Sequence, residues 1–249
     1  MQWKTAISQV NQDHEVIRGY DLHELVAKKT FVEVIFLILK GQLPTPDETR
    51  MLNAMLATMI DHGVRIGSTV AARMVNSLGN SLHTSVAAGL LGLGGSRHGG
   101  ALEGAAQFFQ EHAELKSVEL VALLTSLKEQ KIRVPGYGHR IFTHDKRTDA
   151  LFAIAKETGL YGKHCRFAEL VGEELNKLSS KPLPLNMDGA NAAILSDMGF
   201  DWQLAVGFFI IGRMPGLVAH VYEEMTSGEG LRRLAETEEE YIGKNDSQL

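Results

Sequence analysis

The sequence predicts an all-α protein of ten or so helices joined by short connections. Apolar residues recur at spacings of three and four along most of the chain, which is the pattern of a helix with one buried face. No segment shows a convincing alternation of apolar and polar residues, and no internal repeat is present. Helices connected in this way are expected to pack in layers around a common core.

The composition is that of a soluble globular protein. The chain has 249 residues, of which 44% are hydrophobic and 22% charged. A net charge of −5 without a basic tract gives no reason to expect nucleic acid or an anionic membrane as a partner. Cys165 is the only cysteine, so an internal disulfide is impossible, and the start of the chain has no signal-peptide pattern. We therefore expect a cytoplasmic protein.

The order of the elements follows from capping residues and periodicity. Residues 1–20 predict an arm that could lie on a neighbouring subunit. Two helix starts carry a capping box, Thr30 with Glu33 and Thr45 with Glu48. The predicted helices cover residues 22–28, 31–40, 46–60, 69–78, 81–93, 100–114, 118–131, 145–157, 163–178, 190–198 and 202–225.

Four polar residues stand at predicted helix ends or in glycine-rich loops: His62, His98, His139 and Asp188. Glycine beside a polar side chain lets the backbone approach a ligand closely. The helix predicted after His98 would point its positive end at the imidazole and lower the pKa of His98. A neutral imidazole can donate an N–H to an oxygen that gains negative charge.

Three arginines, Arg147, Arg213 and Arg233, stand in apolar or glycine-rich settings. Arg213 interrupts an apolar run, so we expect it to be buried and to need an anionic partner. Simpler interpretations are open: His62 could cap the end of a helix, Asp188 could cap the start of one, and Arg213 could extend to solvent.

Two other classes of site fit the residues less well. Two histidines and an aspartate could bind iron or zinc, but no HxH or HExxH spacing occurs. A Ser/His/Asp hydrolase would need a GxSxG turn carried by a βαβ unit, and the sequence shows neither.

Five short motifs follow one another along the chain: DHG at 61–63, RHGGA at 97–101, PGYGHR at 135–140, LNMD at 185–188 and GRMPG at 212–216. In this order they resemble the citrate synthase superfamily, and most closely its short citryl-CoA lyase members, which include the lyase module of ATP-citrate lyase. The resemblance covers the chain from Ile17 to about Tyr241.

The resemblance implies a fold of two helical domains, in which a small domain closes over the active site. Residues 21–130 and 191–249 would form the large domain, and residues 131–190 the small one. It also implies a homodimer or a dimer of dimers. The substrate would be a CoA thioester, with no metal and no prosthetic group.

The resemblance also implies a role for each matched residue. Asp188 would move a methyl proton of acetyl-CoA, His98 would hold the thioester oxygen as an enolate forms, and His139 would serve the ketone oxygen of oxaloacetate. Carboxylates would be bound by His62, Arg147, Arg213 and, from the partner subunit, Arg233, for which Arg232 is the alternative. The CoA adenine would contact the loop formed by Arg133, Val134, Pro135, Gly136, Tyr137 and Gly138.

Three hypotheses remain open at this point. The first is a lyase that cleaves citryl-CoA to acetyl-CoA and oxaloacetate. The second is a synthase that makes citrate or 2-methylcitrate through the same carbon–carbon step. The third is an inactive relative that binds acyl-CoA. The sequence does not fix the direction of the reaction or the identity of the 2-oxo acid.

Overall fold

The computed structural model describes residues 2–12, 14–95, 98–138, 144–233 and 235–244. Within these ranges the chain forms eleven α-helices and three short strands. The strands are β1 (Ser8–Val10), β2 (Glu15–Ile17) and β3 (Tyr20–Asp21). The helices are α1 (Leu22–Lys28), α2 (Phe31–Lys40), α3 (Pro46–Met59), α4 (Gly67–Ser77), α5 (Leu82–Leu93), α6 (Gly100–His112), α7 (Ser117–Glu129), α8 (Lys146–Glu157), α9 (Lys163–Leu178), α10 (Met187–Asp197) and α11 (Ala205–Ser227).

The predicted all-α class is confirmed, and the sequence analysis missed only the three short strands at the start of the described chain. Strand β2 pairs antiparallel with both β1 and β3. All three residues of β1 are exposed, so the strand has no buried face that could produce an alternating pattern. Arg18 holds this small sheet to α2, because its guanidinium donates to the carbonyl of Ile38 at 2.8 and 3.0 Å.

Both predicted capping boxes are confirmed. The Thr30 amide donates to the Glu33 carboxylate at 2.8 Å, and the Thr45 amide donates to that of Glu48 at 2.7 Å. At the other end of α2, Gly41 adopts a φ of 86° and closes the helix in the left-handed conformation. These local contacts satisfy amide groups that have no partner within the helix.

Helices α10 and α11 form the centre of the molecule. Helix α10 packs against α6, α8 and α9, and α11 packs against α3, α4, α5 and α6. The stretch Trp202–Ser227 is long and apolar enough to cross a membrane by length and composition. In this fold its buried side chains, such as Phe208 and Leu217, belong to the hydrophobic core.

The loop before residue 139 lies directly on the start of α10. Gly136 has a φ of +85°, and its carbonyl accepts a hydrogen bond from the Asn186 amide at 3.0 Å. The Gly138 amide donates to the Pro184 carbonyl at 2.7 Å. A β-carbon at Gly189 would lie 2.5 Å from the Gly136 carbonyl oxygen, so two glycines are needed for this close approach.

Candidate active site

Three of the predicted carboxylate-binding residues lie in contact around one imidazole. His62, in the loop between α3 and α4, has its Nδ1 2.5 Å from Nη2 of Arg213 on α11. Its Nε2 is 2.5 Å from Nη1 of Arg147, in the first turn of α8. Residues that are 85 and 151 positions from His62 therefore meet at one point.

The loop that carries His62 is fixed to α11. The Asp61 carboxylate accepts the Gly63 amide at 2.8 Å and lies 3.0 Å from Nε2 of His220. A β-carbon at Gly216 would collide with the Ile60 carbonyl, so the small residue lets the loop approach the helix. The C-cap of α3 is Ile60, and the simpler interpretation of His62 as a helix cap is wrong.

Arg213 is fully buried, as the sequence predicts. Its Nε donates to the Met59 carbonyl at 2.7 Å, and its guanidinium lies 5.0 Å from the centre of the Phe209 ring. Among the described residues, its buried Nη1 has no hydrogen-bond partner, and no carboxylate lies within ion-pair distance of the guanidinium. No described carboxylate therefore forms an ion pair with Arg213, although the charges of Asp61 and Asp188 act on it.

Arg147 is held by a carboxylate that the sequence analysis did not single out. Nε and Nη2 of Arg147 donate to the two oxygens of Asp145 at 2.9 and 2.8 Å, a bidentate arrangement that fixes the guanidinium plane. Burial alone would raise the pKa of Asp145, but the hydrogen bonds from Arg147 lower it below its usual value. The available signal was an acidic N-cap residue two positions before an arginine predicted to bind a carboxylate.

His62 is neutral in this environment. Burial is the first cause, and the charges of Arg213 and Arg147 add to it; together they lower the pKa of His62 to about 4. A neutral imidazole carries one N–H and one lone pair, so only one of the two guanidinium groups can donate to it. A bound carboxylate would accept hydrogen bonds from the donors that His62 cannot satisfy.

Asp188 lies in the first turn of α10 and is partly exposed. Burial of its carboxyl group, which loses hydration in the folded chain, raises the pKa of Asp188 to about 6, although the charges of Arg147 and Arg213 oppose the shift. The N-cap of α10 is Asn186, whose side chain accepts the Gly189 amide at 3.1 Å. The simpler interpretation of Asp188 as the cap is therefore wrong. A carboxyl group with this pKa can exchange a proton near neutral pH.

His98 lies in the turn two residues before α6, with Nε2 2.8 Å from the hydroxyl of Ser68 on α4. The pKa of His98 is lowered by burial and then by the charge of Arg213. The direction of the shift is the predicted one, but the sequence analysis had attributed it to the positive end of the helix. A β-carbon on Gly99 would lie 2.8 Å from the Leu93 carbonyl. This glycine allows close packing against α5.

The remaining predicted residues are separate from this cluster or undescribed. His139 lies outside the described residues. In the predicted CoA loop Arg133 is exposed, Val134 is buried, and the Tyr137 hydroxyl donates to the Ala168 carbonyl at 2.7 Å. Arg233 is exposed, and the residue before it contacts Ser77 at the C-terminal end of α4. The described ranges contain no group of three or more His, Cys, Asp or Glu side chains that could hold a metal ion.

Comparisons with known proteins give a consistent result. The family "Citrate synthase, C-terminal domain" matches residues 2–51 and 44–234. Citrate synthase 2 of Bacillus subtilis is 30% identical over 80% of this chain, which spans 53% of that relative. The chain thus covers about half the length of this curated relative.

Two solved structures have the same fold. The citryl-CoA lyase of Hydrogenobacter thermophilus is 50% identical with a TM-score of 0.92, and the match covers 99% of this chain and 97% of that one. The ATP citrate lyase of Methanosaeta concilii, solved with (3S)-citryl-CoA, is 22% identical with a TM-score of 0.85 over 99% of this chain and 42% of that one.

Proposed function

The chain belongs to the citrate synthase family, and from this premise we propose that it is a citryl-CoA lyase, which cleaves (3S)-citryl-CoA to acetyl-CoA and oxaloacetate. The observation that carries the proposal is the match to a citryl-CoA lyase at 50% identity over 97% of that chain. The identity to a citrate synthase is lower, at 30%, which favours the lyase over the synthase.

The cluster around His62 supports the binding of a substrate with several carboxylates. Arg213 offers a buried guanidinium nitrogen that no described residue pairs with, and Arg147 presents a guanidinium held rigid by Asp145. Paired guanidinium groups bind carboxylates through forked hydrogen bonds. We assign the oxaloacetate portion of citryl-CoA to this cluster, with His62 as a neutral residue between the two arginines.

The cleavage step can be written with the described residues and His139. A base takes the proton of the citryl hydroxyl, and the resemblance assigns this to His139. The carbon–carbon bond then breaks, its electron pair moves onto the acetyl-CoA carbon, and the thioester oxygen gains negative charge. His98 would donate an N–H to that oxygen, and protonated Asp188 would deliver its proton to the carbon.

The raised pKa of Asp188 leads to a measurable pH dependence. Exchange of acetyl-CoA methyl protons with deuterated water requires the carboxylate form, so we expect the exchange rate to rise with pH through about 6 and then level off. His62, with a pKa of about 4, stays neutral over this range. The measurement is proton NMR with malate in place of oxaloacetate. A limb near pH 4, where an ordinary aspartate titrates, would contradict the assignment.

The domain boundaries and the CoA site are also proposals. Residues 131–190 would form the small domain, and the loop from Arg133 to Gly138 would bind the CoA adenine. The support is that this loop is hydrogen-bonded to the segment immediately before Asp188, so a bound CoA thioester would lie next to the proton-transferring residue.

A CoA thioester as substrate requires no prosthetic group. A cytoplasmic location fits the single buried cysteine.

We also propose that two copies of the chain share their sites. Helix α4, its C-cap residue and helix α11 expose apolar side chains at helical spacing: Val70, Met74, Leu78, Val218, Tyr222 and Met225. Exposed apolar surfaces of this kind are typical of subunit interfaces. If the twofold axis crosses the middle of these helices, the end of each helix that is remote from its own site lies beside the site of the other copy. Arg233 lies at that remote end, next to the residue that contacts Ser77.

The products formed from citryl-CoA test the proposal directly. We expect the purified chain to yield acetyl-CoA and oxaloacetate, identified by mass spectrometry. Citrate and free CoA would instead indicate a synthase that hydrolyses the thioester, the alternative supported by the 30% identity to a citrate synthase. Unchanged citryl-CoA would contradict both and favour a different acid or an inactive acyl-CoA-binding relative. Light scattering gives the oligomeric state, and an active monomer would contradict the shared site.

A further inference from the structure

A buried carboxylate far from the cluster around His62 joins two helices to the C-terminal segment. Glu224 on α11 is 6% exposed. Its Oε2 lies 2.6 Å from Nε of Arg73 on α4, and Nε and Nη2 of Arg232 donate to its two oxygens at 2.7 and 2.9 Å. A buried carboxylate is strongly destabilising unless it is paired. The hydrogen bonds from Arg232, and then those from Arg73, lower the pKa of Glu224 despite burial.

The same contacts fix the backbone at residue 232. The Arg232 amide donates to the hydroxyl of Ser77, in the last turn of α4, at 3.2 Å. Nη2 of Arg232 also lies 2.8 Å from a carboxylate oxygen of Glu229. Main chain and side chain of Arg232 are thus both held. The residue that follows, Arg233, is exposed, and its backbone continues from a residue that is fixed in place.

Arg233 is too far away to serve the site of its own chain. Ser68, the partner of His98, and Ser77, the partner of Arg232, are nine residues apart on α4, which corresponds to about 14 Å along the helix axis. Arg213 and Glu224 are eleven residues apart on α11, or about 16 Å. Both helices therefore place Arg232 at the end opposite the site.

We propose that Glu224 is a positioning residue, which through Arg232 fixes the start of the C-terminal segment so that Arg233 enters the carboxylate site of a second copy. The inference rests on the proposed function and deepens it. It also decides between the two arginines that the sequence left open: Arg232 is engaged within its own chain, and Arg233 is the one available to a partner.

A double-mutant cycle tests the proposal. Arg232→Gln removes the contact between Glu224 and the C-terminal segment and leaves the contact between Arg73 and Glu224. Arg233→Ala removes the proposed ligand. We expect each to weaken oxaloacetate binding roughly 30-fold, as loss of one partner of a charged contact does. The double variant should bind no more weakly than either single one, because both changes remove the same contact.

Matched controls separate positioning from general damage. Arg50→Gln breaks an exposed ion pair with Glu157 and should leave binding unchanged, whereas Arg232→Lys should recover part of the affinity. Glu224→Gln should behave like Arg232→Gln. Titration calorimetry measures oxaloacetate affinity without turnover, so the result does not depend on whether citryl-CoA is cleaved.

Three outcomes would overturn the proposal. Unchanged binding by Arg233→Ala would remove the shared site, and the positioning role with it. Loss of affinity in Arg233→Ala but not in Arg232→Gln, or losses that add in the double variant, would leave the shared site and refute the positioning role. If light scattering shows that the Arg232→Gln variant dissociates into monomers, the contact between Glu224 and Arg232 acts on assembly and not on the position of Arg233.

Discussion

The Asp188→Asn variant is expected to lose roughly 10²- to 10⁴-fold in kcat for citryl-CoA cleavage, the contribution typical of a general acid or base. Asparagine has nearly the same shape and keeps the first turn of α10, but its amide cannot deliver a proton to carbon. The raised pKa of Asp188, about 6, is the property that the substitution removes. Binding of citryl-CoA should change little, because the carboxylate-binding cluster is left intact.

Steady-state kinetics and isotope exchange measure this loss separately. Exchange of the acetyl-CoA methyl protons needs the same proton transfer, so it should fall by a similar factor. Asp149→Asn is a suitable control, since this carboxylate lies on α8 and is exposed; we expect its kcat to stay within about twofold, as for most surface changes. Full turnover by Asp188→Asn would exclude the proposed mechanism for both lyase and synthase.

Local signals in the sequence predicted most of the helices well. The bounds of α1, α2 and α9 agree with the predicted ones, because capping boxes, terminal glycines and amphipathic periodicity act within a few residues of one another. The strands were missed because the longest has three residues and β1 has no buried side. Helix α10 starts at Met187 rather than at residue 190, because Asn186 caps it just before Asp188.

The candidate site was predictable in its residues but not in its contacts. Sequence order cannot show that His62 lies between Arg147 and Arg213, since that contact depends on how α8 and α11 pack. Ser68 gave no signal, because a serine inside a helix has many possible uses. The burial of Arg213 was predicted correctly from its apolar neighbours, yet its open Nη1 could be seen only once every surrounding group was placed.

The His98→Ala variant should lose roughly 10²- to 10³-fold in kcat, the effect of removing one preplaced donor to an oxyanion. Cleavage of citryl-CoA leaves an electron pair on the acetyl-CoA carbon, and the thioester oxygen must share that charge. The lowered pKa of His98 favours the neutral imidazole, which donates its single N–H to that oxygen. When the hydroxyl of Ser68 donates to Nε2, the proton of the neutral ring lies on Nδ1.

His98 variants are expected to keep binding and to lose rate, as Asp188 variants do. Both cleavage and isotope exchange pass through the enolate, so both should fall in His98→Ala, whereas oxaloacetate binding should persist because His62, Arg147 and Arg213 remain. His98→Gln retains an N–H donor and should recover part of the lost rate. Ser68→Ala removes the partner of Nε2 and should cause a smaller loss, since the imidazole remains but its orientation is less fixed. A His98→Ala variant within tenfold of the parent kcat would mean that another group stabilises the enolate oxygen.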